Sequence, residues 1–165
     1  MSERLQSTMI AHGALVFLIG MVAGFPYAFV LLQKVALWPL PALDWTPPGD
    51  VRGWRMAHLE GILNGLTLIG VAAAGERITL GARGQAWVAW GLIVTAWGNI
   101  LASVIGPLCG GRGLEFGGGL ANSLMYLLFV AAIVTVLIAM SLVARGAFAA
   151  ARHDDAVRQR FSGEE

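Results

Sequence analysis

Charged residues are scarce in this chain. Lysine, arginine, aspartate and glutamate together make up 13% of its 165 residues, whereas 57% of the residues are hydrophobic. Soluble domains have about 25% charged and about 45–50% apolar residues, so one soluble core could not bury this much apolar surface. The composition therefore predicts an integral membrane protein.

Cysteine is almost absent as well. The single residue of this type, Cys109, cannot form an internal disulfide, and the chain contains no CxxCH or CxxC pattern. Any haem would therefore be held non-covalently. The net charge is only +1, without a basic arm or interleaved basic and aromatic residues, which argues against a nucleic-acid partner.

What the chain does have is four long apolar segments, at residues 9–32, 54–75, 85–105 and 120–144. Each is near or above the ~20 residues that cross a bilayer core of ~30 Å. The first is too long for the apolar region of a cleaved signal peptide. We predict an all-α membrane protein with a four-helix transmembrane domain at 1–145 and a cytoplasmic tail at 146–165.

The basic residues predict the orientation of these helices. One side of the membrane receives more of them than the other, and such an excess marks the cytoplasmic side. The short loop between the second and third segments also requires antiparallel neighbours. We therefore predict an oligomeric, antiparallel bundle with both termini in the cytoplasm. The cytoplasmic set is Arg4, Arg77, Arg83, Arg145, Arg152, Arg158 and Arg160, and the opposite set is Lys34, Arg52, Arg55 and Arg112.

Several polar residues lie in the outer halves of the segments. Counting ~1.5 Å per residue from the helix ends places them within roughly 10 Å of one another in depth, which predicts a single site. They are Tyr27, His58, Asn64, Asn99 and Tyr126. His12 lies ~20 Å in depth from His58, so the two histidines should not ligate one iron within a protomer.

His58 is the strongest candidate ligand, because an ionisable residue inside a membrane is by default a functional candidate. Helical phase separates it from Asn64 by about 120°, whereas Glu60 and Asn64 share a face. Gly61 and Gly65 form a small-residue strip that another helix or a flat macrocycle could approach. We assign both glycines as candidate cofactor-binding residues.

Structural roles stay open for the other polar residues. Asn64 and Asn99 are equally suited to hydrogen-bonding a neighbouring helix. Tyr27 and Tyr126 are more typical of anchors at the membrane interface. For Glu60, a structural ion pair and a functional carboxylate are both consistent with its position.

Four stretches, in the same order and spacing, carry a resemblance to a known family. They are MIAHGALVFLIGMVAGF in the first segment, PPGDVRGWRMAHLEGILNG entering the second, WGN in the third and GRGLEFGG in the loop after it. The most specific element is W-x-x-A-H-x-x-x-x-x-N-G, which contains His58, Asn64 and Gly65. Together they resemble the styrene oxide isomerase family of small bacterial membrane enzymes.

The resemblance implies a trimer in the bacterial inner membrane, with haem b between protomers and its iron bound by His58. It also implies that Asn64 lines the substrate pocket and could orient an epoxide oxygen. The implied reaction is the redox-neutral rearrangement of an aryl epoxide, such as styrene oxide, to an aldehyde, with ferric haem as a Lewis acid.

One feature departs from the family pattern. The family places a tyrosine on the third helix beyond the W-x-N element, but WGNILASVIGP offers Asn99 and Ser103 instead. We predict that Tyr126 supplies the phenol or that the pocket accepts a different substrate. The candidate catalytic residues are therefore Asn64, Asn99 and Tyr126.

Three other functions compete with this interpretation. A small oligomeric transporter could use Glu60 as a proton-coupled carboxylate, and such a protein would purify without colour. An electron-transfer cytochrome would need a second iron ligand, which the depth of His12 disfavours. A haem-dependent dehydratase or gas sensor on the same scaffold stays open.

Overall fold

The computed structural model describes residues 1–162, with side chains through His153. Within this range the chain is helical without strands: α1 (Glu3–Leu32), α2 (Val51–Ala73), α3 (Ala82–Cys109) and α4 (Leu120–Ser162), with a 3₁₀ turn at Gly75–Arg77. All four long helices contain a stretch long and apolar enough to cross a membrane. The predicted all-helical class is confirmed, and the four spans indicate a multi-pass membrane protein.

The helix ends differ from the predicted segments: all but the start of α4 and the end of α1 are shifted, and α2 ends at Ala73 instead of residue 75. α2 begins at Val51 because the Asp50 carboxylate accepts a 2.6 Å hydrogen bond from the Gly53 amide, which caps the helix. The segment predicted as a tail continues α4 as helix through Ser162. Residues 163–165 lie outside the described part of the chain, as do the side chains of Arg158 and Arg160.

Glycines bring α1 and α2 into close contact. A Cβ atom on Gly61 would collide with the Cα atom of Gly20, and Gly13 lies in the same way against Gly65. Residue numbers rise along α1 as they fall along α2, so the two helices run in opposite directions at this contact. Small residues are favoured here because helices in lipid associate through close van der Waals packing.

α3 is the central helix of the described structure. In its most apolar window 61% of residues are buried, against 11% in that of α4. Its core residues Val88, Leu92 and Ile100 pack in one cluster with Met9 and Leu68. The residues that pack against α3 are therefore held within the protein, whereas most of the apolar stretch of α4 is not buried.

The amino terminus is tied to the end of the bundle that holds the α2–α3 connection. The Met1 ammonium group donates a 2.8 Å hydrogen bond to the Gly75 carbonyl, and the Ser2 amide donates to the Gln85 side chain. The Gln6 side chain donates to the Ala72 carbonyl at 3.2 Å. These contacts place the amino terminus and this loop at the same end of the bundle.

The contact between α1 and α2 leads to a stability prediction. Gly61→Ala should lower the free energy of unfolding by about 1–3 kcal/mol, because the new methyl group would force the two backbones apart. Gly70→Ala is the matched control, since a Cβ there meets nothing within 4 Å. Thermal unfolding in detergent should show a lower midpoint for the first variant only. Equal midpoints would contradict the observed packing.

Candidate functional site

A cavity of about 660 Å³ lies at the end of the bundle away from the amino terminus. This volume falls within the range of about 300–1,000 Å³ typical of small-molecule sites. Its walls come from the first half of α2, the last part of α3, the first part of α4 and the loop between α3 and α4. The polar residues in its wall include Glu60, Asn99, Ser103 and Tyr126.

Asn122 organises the glycine-rich loop that lines one side of this cavity. Its Oδ1 atom accepts hydrogen bonds from the amides of Arg112 and Gly113, at 3.1 and 2.9 Å. Its Nδ2 group donates to the carbonyls of Glu115 and Gly117, at 2.9 and 2.8 Å. The sequence analysis missed this residue, although an asparagine just after three glycines at a helix start is a recognisable signal.

A chain of hydrogen bonds joins α2 to α3 beside the cavity. The Asn64 Nδ2 group donates to the Glu60 carboxylate at 2.7 Å and to the Glu60 backbone carbonyl at 2.9 Å. The Asn99 Nδ2 group donates to Asn64 Oδ1 at 3.3 Å. The structure thus connects Asn64 and Asn99, which the sequence placed at similar depth, and joins Glu60 to them.

Glu60 fixes the direction of both amides. Its backbone carbonyl can only accept a hydrogen bond, so Asn64 must turn its Nδ2 group toward Glu60 and its oxygen toward Asn99. Asn64 has no N–H left for a ligand and does not line the cavity, whereas Asn99 lines the cavity and keeps one N–H. The amide that can donate to a ligand in this cavity therefore belongs to Asn99 and not to Asn64.

His58 lies on the side of α2 that faces α1. Its Nδ1 atom is 2.9 Å from the Gly20 carbonyl oxygen, and its ring stacks on Tyr27 with centroids 6.2 Å apart. Because a carbonyl only accepts, this contact requires the proton on Nδ1 and leaves a lone pair on Nε2. Fixing one ring nitrogen in this way is typical of a histidine that binds a metal through the other.

His58 and the cavity lie on different sides of α2, so the predicted residues do not form one site within a protomer. The cavity wall includes Asn99 and Tyr126, with the Tyr126 ring edge-on to Phe116 at 6.1 Å, but not His58. The 120° phase difference between His58 and Asn64 already indicated this division.

The glycine strip on α2 contacts another helix. Gly61 and Gly65 are buried, and the atoms closest to them belong to Gly20, Gly13 and Phe17 of α1. The space that a macrocycle would need at these two glycines is therefore filled by α1. Of the two partners considered for the strip, a helix is therefore the one that contacts it, and the assignment of both glycines as cofactor-binding residues stays a prediction.

His12 belongs to a separate contact. The Trp97 Nε1–H group donates a 3.1 Å hydrogen bond to His12 Nδ1, and the two rings lie edge to face. Among the described residues, no three histidine, cysteine, aspartate or glutamate side chains come together as a metal-ligand set. His58 thus stands alone as the candidate iron ligand of the transmembrane region.

Fold and site together define a multi-pass membrane protein with a mostly apolar cavity, an amide donor in its wall and a histidine with one free ring nitrogen. The sequence model of the styrene oxide isomerase family matches residues 5–148. The chain belongs to the styrene oxide isomerase family. No curated protein matches the chain.

The loop over the cavity should depend on Asn122. Asn122→Ala removes four hydrogen bonds to loop backbone groups, so amide hydrogen exchange at residues 110–119 should become faster by about tenfold or more. Asn122→Asp keeps the acceptor for two of these bonds and should have an intermediate effect. Exchange as slow in the alanine variant as in the wild type would show that Asn122 does not hold the loop.

Proposed function

We propose that this protein is a haem-dependent epoxide isomerase that converts an aryl epoxide, such as styrene oxide, to an aldehyde. The observation that carries this proposal is the family match over residues 5–148, since membership of this family indicates an epoxide isomerase. The free nitrogen of His58 and the apolar cavity support it independently. The reaction would be redox-neutral.

The donor set of His58 fits haem b. The hydrogen bond from Nδ1 to the Gly20 carbonyl orients the ring and makes Nε2 a better ligand. His58 would be the only protein ligand, since His12 takes part in a separate contact in which it accepts a hydrogen bond from Trp97. Ferric haem b bound there would supply a Lewis acid for the epoxide oxygen.

The separation of His58 from the cavity supports an oligomer. A cofactor held on the α1 side of α2 is poorly placed for the cavity of its own protomer, which lies on the other side. We propose a trimer in the bacterial inner membrane, built from antiparallel bundles with cytoplasmic termini, in which His58 of one protomer serves the cavity of the next. Large apolar side chains exposed on α1 and α4 are available for such an interface.

The cavity residues would bind the epoxide and direct its opening. The free N–H of Asn99 would donate to the epoxide oxygen as negative charge develops there, while Glu60 and Asn64 hold the amide in this orientation. The apolar wall would keep water from the benzylic carbon, where water would produce a diol. Tyr126, which lines the same cavity, stays the predicted phenol donor.

A transporter is the second candidate function. Its basis is Glu60, a carboxylate within a predicted membrane span that also lines the cavity. The hydrogen bond from Asn64 gives this carboxylate a positioning role that the isomerase proposal also accommodates. The two functions differ in one direct observable, since the transporter requires no coloured cofactor.

The haem proposal predicts an absorption spectrum. Wild-type protein purified after expression with added haem should show a strong Soret band, and His58→Ala should lose most of it because the iron loses its ligand. His12→Ala is the matched control and should keep the band, since His12 accepts a hydrogen bond from Trp97 elsewhere. A wild-type protein without colour would contradict the isomerase proposal and favour the transporter.

The isomerase proposal also predicts an order of effects on aldehyde formation from styrene oxide. Asn99→Ala should lower kcat by about 10²-fold, because one donor to the developing oxyanion is lost. Glu60→Gln should have a smaller effect, because it exchanges only the carboxylate acceptor of Asn64 for an amide oxygen, while the Glu60 backbone carbonyl still accepts from Asn64. Thr67→Ala, an exposed threonine on α2 bonded to its own helix, serves as the control. Wild-type kcat in Asn99→Ala would refute this role.

A further inference from the structure

Ser103 is exceptional among the polar residues of the described structure. Its Oγ atom is the one buried side-chain nitrogen or oxygen there without a hydrogen-bond partner. The residue is 3% exposed and lies in the wall of the cavity. A buried hydroxyl without a partner destabilises the folded protein, so its presence calls for a physical explanation.

The threonines of the same protein show what a hydroxyl in a helix ordinarily does. Thr8, Thr67, Thr95 and Thr135 each donate to the carbonyl four residues earlier, at 2.8–2.9 Å. This local bond is the usual way to satisfy a hydroxyl inside a membrane helix. Ser103 does not make it, although the same carbonyl geometry is available one turn earlier on α3.

A second donor lies one turn away on the same helix face. Asn99 precedes Ser103 by four residues, lines the same cavity and keeps one N–H group that Asn64 does not use. The part of the wall on α4 is mostly apolar and includes Met125, Phe129 and Ile133. The charged lining residues belong to α2, its start and the α3–α4 loop, so α3 contributes the two donors and α4 apolar contact area; these charged residues are Asp50, Arg52, Glu60 and Arg112.

We propose that Ser103, together with Asn99, binds the oxygen atom of the ligand in this cavity. The ligand is an uncharged, largely apolar molecule that presents a single acceptor oxygen to α3. Because the serine hydroxyl is one carbon from the backbone, this oxygen must come close to α3, which selects ligands by the position of their oxygen. Naming the ligand as an epoxide rests on the proposed function; the role of the hydroxyl does not.

Two unreactive probes of nearly the same shape test this role. Indane is a hydrocarbon, and 1-indanone is the same bicyclic skeleton with one carbonyl oxygen. Calorimetry on the detergent-purified protein would measure both affinities. The wild type should prefer 1-indanone, and Ser103→Ala should weaken 1-indanone binding about fivefold, the effect of one neutral hydrogen bond, without changing indane binding. Ser103→Thr, which keeps the hydroxyl, should restore the preference.

Folding of the variants is followed by thermal unfolding without ligand. Ser103→Ala should unfold at the wild-type temperature or above it, because the deleted hydroxyl has no partner. Thr95→Val is the matched control: it deletes a buried hydroxyl that bonds Gly91 and Ala132, so it should lower the unfolding temperature but leave the preference for 1-indanone intact.

The outcomes separate this inference from the proposed function. An unchanged preference in Ser103→Ala, equal wild-type affinity for the two probes, or binding of neither probe would overturn the role of Ser103. A lost preference in a protein that purifies colourless and forms no aldehyde would support the role of Ser103 while the isomerase proposal fails. Aldehyde formation by the wild type, together with an unchanged preference for 1-indanone in Ser103→Ala, would support the isomerase proposal and overturn the role of Ser103.

Discussion

The contact between Gly20 and Gly61 is the constraint on which the rest of the site depends. With no side chain on either residue, the α1 and α2 backbones approach closely enough for the Gly20 carbonyl to reach His58 Nδ1. The same contact turns the opposite side of α2, with Glu60 and Asn64, toward α3. One pair of glycines thus sets the tautomer of the histidine and the partner of the carboxylate.

α2 consequently presents two chemically different sides. His58 and Glu60 are two residues apart and project in nearly opposite directions, since successive helical residues are rotated by about 100°. The candidate iron ligand and the cavity are thereby kept apart within a protomer, which is the physical reason that we propose a site shared between protomers.

Hydrogen-bond accounting distinguishes structural from functional polar groups in this membrane region. Asn64, Thr95 and His12 have protein partners for the groups that face the interior. Asn99 keeps one donor and Ser103 keeps its hydroxyl, and both lie at the cavity. Since an unmet polar group is costly in an apolar environment, the groups left over are the ones a ligand would satisfy.

The sequence by itself determined the four helices, the membrane class, the shared depth of the polar residues and the angle between His58 and Asn64. Those properties follow from hydropathy, bilayer thickness and helical period, which are local. Only the tertiary structure decided which helix or loop each residue contacts. α1 covers Gly61 and Gly65, Asn64 accepts a hydrogen bond from Asn99 without lining the cavity, and Asn122 holds the loop. Helical period gives the angle between two side chains, but the helix that each one meets depends on how the backbones pack.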